Sequence, residues 1–119
     1  MEKDLKTLTF TLASDIYKVI SEMEGGIAKI IADELLIVTY KSSFAASSAK
    51  NAISRDRFIR HLEEGYYFSG KVQELLLLLR SVEAPVEQIE DFIERNDMIH
   101  RMYGASIKTI QRKSMEARV

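Results

Sequence analysis

Between Ile31 and Leu79 the chain reads as two long helical segments joined by one short connection. The first carries a run of small residues, Ser42-Ser43-Phe44-Ala45-Ala46-Ser47-Ser48-Ala49; the second opens Arg57-Phe58-Ile59-Arg60-His61-Leu62 and closes on five consecutive leucines, Leu75 to Leu79. A helix lined with small side chains lets a neighbouring backbone come close, so this stretch commits the chain to helix-on-helix packing. Punctuation is scarce: one proline and five glycines in 119 residues leave little material for turns and favour a few long helices.

The breaks divide the chain into four segments. The first helix is expected from about Asp4 to Met23, with Leu5, Leu8, Leu12, Ile16, Val19 and Met23 spaced along one face, and Gly25-Gly26 ending it. A second helix starts near Ile27 and carries Ile27, Ile31, Leu35, Val38, Ser42, Ala45 and Ala49 on its seam. Ser54 is the expected N-cap of the third, with Asp56 in the first turn and Phe58, Leu62, Gly65, Ser69, Val72, Leu76 and Leu79 on its core face. Pro85 suits the first turn of the fourth, whose inner face takes Val86, Ile89, Ile93, Asn96, His100, Tyr103, Ile107 and Ile110 before an end near Lys113. Four amphipathic helices with short connections predict an all-α, up-down-up-down antiparallel four-helix bundle, one domain over residues 1–119.

Several function classes recede on composition. The chain has no cysteine, which excludes disulfides, thiolate metal sites and cysteine nucleophiles. Its opening Met-Glu-Lys-Asp lacks the apolar region of a signal peptide, so a cytoplasmic location is expected. The longest unbroken apolar run, Leu75 to Leu79, is far short of the ~20 residues of a membrane span. A di-iron bundle needs two inward Glu-x-x-His pairs. The sequence offers Asp97-x-x-His100, and His61 is preceded three residues earlier by Phe58. No cofactor and no small-molecule substrate is expected.

Two helices carry more apolar surface than one core needs. Leu75 to Leu79 is apolar around the whole circumference, and Tyr66-Tyr67-Phe68 covers most of a turn with rings. Tyr66, Tyr67, Phe68, Leu75, Leu77 and Leu78 are therefore the candidate contact between copies of the chain. Charge is uneven although the formal net charge is -1: residues 41–80 hold seven basic against four acidic groups, whereas residues 1–40 hold four against seven. Lys50, Arg55, Arg57 and Arg60 crowd the second connection and are the candidate contacts to RNA phosphates, against the alternative that they form a solvated rim.

The segments Ala32-Asp33-Glu34-Leu35-Leu36, Ser43-Phe44-Ala45-Ala46-Ser47, Phe58-Ile59-x-x-Leu62 and Ala105-Ser106-Ile107-Lys108-Thr109 follow one another in a telling order. In order and spacing they resemble the four-helix-bundle family of 23S rRNA intervening-sequence proteins, which includes accessory proteins of diversity-generating retroelements. The resemblance implies a bundle that assembles into a ring, typically a pentamer, without known enzymatic activity. For the retroelement branch it implies binding of RNA and of a reverse transcriptase. The chain departs from that pattern at Ser47, Lys50 and Lys71, where relatives commonly carry Asn, Glu and Glu. The expected function is a non-enzymatic scaffold or adaptor.

One enzymatic pattern competes. Arg95 and His100 match the Arg-x4-His signature of HEPN ribonucleases. There His would act as general base on a ribose hydroxyl and Arg would stabilise the phosphorane charge. On a regular helix residues five apart lie ~140° apart, and a cleft built by two chains could still gather them; the competing expectation is that Asn96 and His100 are polar positions in the bundle seam.

Overall fold

The computed structural model describes residues 4–117 and contains four helices: α1 (Leu5–Ile20), α2 (Ile27–Lys50), α3 (Arg55–Ser81) and α4 (Ile89–Ala117). They form the expected up-down-up-down antiparallel bundle, each helix against the next and α1 closing on α4. Polar contacts at the helix ends fix this order. Lys50 at the end of α2 reaches Asp4 at the start of α1 at 3.0 Å, and Arg55 at the start of α3 donates to Ser114 Oγ in the last turns of α4 at 2.7 Å. Arg80 and Glu90 tie the opposite ends of α3 and α4.

Capping explains where the helices begin. Asp4 accepts from the Thr7 amide at 2.9 Å and Ser54 from the Arg57 amide at 3.2 Å, each satisfying a donor that helical geometry orphans. The Thr7 amide, followed by Lys50, holds the Asp4 carboxyl down at about 2. Helix α1 ends at Ile20, short of the expected Met23, because Glu22 and Met23 donate to Val19 and Ile20 and tighten the chain into a turn. Gly26, with φ 121°, then serves as N-cap of α2 and does not itself terminate α1.

The fourth helix also differs at both ends. Pro85 lies in the connection, where the Val86 amide bonds the Ala84 carbonyl, and the helix starts at Ile89. Its C-terminal turns continue past Lys113 to Ala117, with Arg55 holding Ser114.

A single core draws on all four helices, with Leu12, Ile16, Leu35, Leu62, Val72, Leu76, Leu79, Ile99 and Tyr103 nearly inaccessible. The α3 seam is the expected one from Leu62 to Leu79. In α2 the seam sits one step round, on Ala32, Leu35, Thr39, Ser42, Ala45, Ala46 and Ala49, leaving Ile27 exposed. Helix α4 adds Phe92 and Ile99 to its expected face.

Where the small residues sit, a large one fills the space. Tyr103 crosses the bundle from α4 and donates to the Ser42 carbonyl of α2 at 2.7 Å. Its ring lies against the bare Gly65 backbone of α3, where any Cβ would overlap it. Burial pushes the Tyr103 hydroxyl up to about 12.

Candidate functional site

The four basic residues around the second connection do not converge. Lys50 is drawn to Asp4 on α1, and Arg55 is spent on the α4 end, at Ser114 Oγ and the Ile110 carbonyl. Arg57 borders a shallow recess with Ser47, Ser48, Asn51 and His61, and Arg60 is exposed; neither forms an ion pair among the described residues. Half of the proposed phosphate contact is thus already engaged internally.

The residues expected to form a contact between chains separate into four groups. Leu75 packs against the core. Tyr66 turns toward α4, stacking on the His100 ring at 4.2 Å between centroids. Tyr67 and Phe68 meet edge to face at 5.4 Å, with Lys71 over Tyr67 and Lys41 of α2 over Phe68. Leu77 and Leu78 are exposed.

The broader apolar surface is centred on α2. A groove of about 660 Å³ between α1 and α2 is walled by Phe10, Tyr17, Ile37, Tyr40 and Phe44 and floored by Ala13, Ser14, Ser43 and Ser47. Tyr40 and Phe44 stack at 6.2 Å and also border a smaller recess shared with Phe68 of α3, so the surface runs without a break across α1, α2 and α3. Phe10, Tyr17, Tyr40, Phe44 and Tyr67 are 67%, 57%, 62%, 62% and 59% exposed. The α1 and α2 members lie outside the contact expected on α3. Their signal was the four-residue spacing of Tyr40 and Phe44 and the seven-residue spacing of Phe10 and Tyr17, both off the core stripe.

On the opposite side, α3 and α4 share a polar seam. Buried Asn96 donates to the Ser69 carbonyl at 2.9 Å and to Gln73 Oε1 at 2.8 Å, and Gln73 donates to the Ile93 carbonyl. Ser69 Oγ donates to the Tyr66 carbonyl and lies 2.8 Å from His100 Nδ1. A serine hydroxyl has one proton, so when Ser69 gives it to the Tyr66 carbonyl, Nδ1 is the donor of the second bond and the imidazole is the Nδ1–H tautomer. Arg95 faces away from this seam: its guanidinium bonds Asp15 of α1 at 2.9 Å and Asp91 at 3.3 Å. Within one chain Arg95 and His100 therefore address different neighbours, α1 and α3.

Among the described residues no cluster of three metal-ligating side chains occurs, and no helix is long and apolar enough to cross a membrane. No family model, curated protein or solved structure matches this chain.

Proposed function

We propose that this protein is a non-enzymatic, self-associating four-helix bundle that works as a scaffold or adaptor. The observation that carries the reading is the uncovered aromatic face over α1, α2 and α3. Its five most exposed rings, at ~200 Å² each, leave roughly 600 Å² of apolar surface in water. That approaches the ~800 Å² that each partner contributes to a standard interface.

A ring is built from heterologous contacts, in which one patch meets a different patch on the next copy. The exposed Leu77, Leu78 and Val82 at the far end of α3 supply a second patch of the required kind. The resemblance to the intervening-sequence family supports a ring, typically a pentamer, and either RNA or a protein such as a reverse transcriptase as its cargo; the absence of cysteine supports a cytoplasmic setting. Charge favours the protein. Among the described residues, only the Arg57 and Arg60 side chains of the basic cluster lack an internal bond, although a ring would repeat that pair around one face.

Light scattering on a size-exclusion column, with absorbance at two wavelengths for nucleic acid, tests this function. A particle several times the 13.6 kDa chain mass is expected. A strict monomer at micromolar concentration overturns it. A dimer that cleaves RNA, and loses that activity on His100→Ala, replaces it with the Arg95 and His100 nuclease.

A further inference from the structure

The α3–α4 groove has a different character from the apolar face. It occupies about 690 Å³ and is lined by Glu63 and Tyr66 from α3 and by His100, Arg101, Gly104, Lys108 and Gln111 from α4, among others. His100 is fixed in it on three sides. Ser69 holds Nδ1, the Tyr66 ring covers one face, and the Gly70 backbone sits below Cε1, where an added Cβ would lie 3.4 Å away. Gly104, one turn beyond His100, lets Tyr66 settle this close, since a Cβ there would stand 3.1 Å from the Tyr66 ring.

What remains is Nε2. It has no hydrogen-bond partner among the described residues and is not among their fully buried unpaired polar atoms, and His100 itself is half-buried on the groove wall. In the Nδ1–H tautomer Nε2 carries the free lone pair, the nucleophilic site of a neutral imidazole. Arg101 and Lys108 line the same groove one helical turn either side of Gly104. Arg101 also bonds Asp97 at 2.9 Å but keeps most of its side chain in water, and Glu63 is the carboxylate facing the two cations across the groove.

We infer that His100 is a phosphoryl-accepting histidine. The donor is an acyl phosphate on a partner or a small molecule. The Nε2 lone pair attacks phosphorus, the N–P bond forms, and the P–O bond breaks with its electron pair leaving on the carboxylate. Nδ1 keeps its proton on Ser69 Oγ throughout. The positive imidazolium so formed is offset by the phosphoryl dianion, which Arg101 and Lys108 stabilise from the groove. Self-association through the α1–α2–α3 face leaves this groove open, so the inference stands or falls independently of assembly.

Phosphoramidate is the probe, since the same attack on it releases ammonia with the P–N electron pair. The folded chain is treated with it, the site is mapped by mass spectrometry and the isomer is read by ³¹P NMR. One phosphoryl group on Nε2 of His100 is expected, gained faster than at His61, which serves as internal reference with its own Nδ1 bonded to Glu64 at 3.0 Å. Ser69→Ala should slow the reaction and admit the Nδ1 isomer, and Lys108→Ala should slow it with the circular-dichroism spectrum unchanged. Equal labelling of His61 and His100, a His100 rate no greater than in urea-unfolded chain, or an unaltered rate and isomer in both variants overturns the assignment.

Discussion

Two residues at the centre of the bundle carry opposite lessons about burial. Ser42 Oγ is buried without a hydrogen-bond partner among the described residues, while the carbonyl of the same residue accepts from Tyr103. An unpaired buried hydroxyl is a standing cost, so Ser42→Ala should raise stability by about 1 kcal/mol in urea unfolding, with the Tyr103 bond untouched. Gly65 is the reverse. Alanine is normally the better helix residue, but here a Cβ overlaps the Tyr103 ring, and Gly65→Ala should cost about 1–3 kcal/mol. Pairing it with Tyr103→Leu should recover part of that loss, a coupling that a double-mutant cycle reads directly. Tyr103 also sets an alkaline limit. Its ordinary value of 10.0 applies to the unfolded chain and about 12 to the folded one, so its contribution is complete below pH 10 and is lost as pH rises through 12. Tyr103→Phe should flatten the stability profile across that window in melts taken at successive pH values, at a cost of about 1 kcal/mol near neutrality.

The helix ends show which local signals sequence carries well. Side-chain caps are legible because they act over three residues: Asp4 and Ser54 cap α1 and α3, and the Ser54 cap was expected from the residues alone. Turn geometry is less so. The α3 C-terminus is closed by a paired bonding pattern, Ala84 N–H to the Leu79 carbonyl and Glu83 N–H to Arg80, with Glu83 at φ 54°. Glycine normally holds that left-handed position, and with a glutamate there nothing in the sequence marked it. A Glu83→Gly change removes the Cβ strain and an acidic group from a helix C-terminus, against a greater loss of chain entropy, and should stabilise by about 0.5–1 kcal/mol. The α3 core face was likewise readable from periodicity, because Leu62, Gly65, Ser69, Val72, Leu76 and Leu79 keep one strict spacing. The faces of α1 and α2 that form the aromatic groove were not, since a stripe of rings at helical spacing reads as core until tertiary packing shows which side the core takes. Asn96, His100 and Ser69 were legible as seam positions. The bond between Ser69 and His100 Nδ1 joins two helices and has no sequence signature.

For the assembled molecule the question is which face meets the next copy. The five-leucine run drew attention to α3, but three of its members, Leu75, Leu76 and Leu79, are committed to this chain's own core. Tyr66 is committed to His100. Outside α3 the exposed aromatics lie on α1 and α2, so the two helices should contribute unequally to association. Tyr40 and Phe44 border both the α1–α2 groove and the recess beside Phe68, which puts them at the middle of the surface. Central, fully desolvated aromatics carry most of an interface's energy, and each is commonly worth ~2 kcal/mol or more on truncation. Phe44→Asp should therefore reduce the particle to single chains in light scattering, with the helical signal and melting of the monomer nearly unchanged because Phe44 lies outside the core. Leu77→Asp or Leu78→Asp should also shrink the particle if the α3 end is the facing patch of a ring. An intact particle in those α3 variants, alongside dissociation of Phe44→Asp, would mean that the α2-centred face pairs with itself. A two-fold dimer then follows, because a self-complementary patch closes after one contact and leaves nothing to continue around a ring.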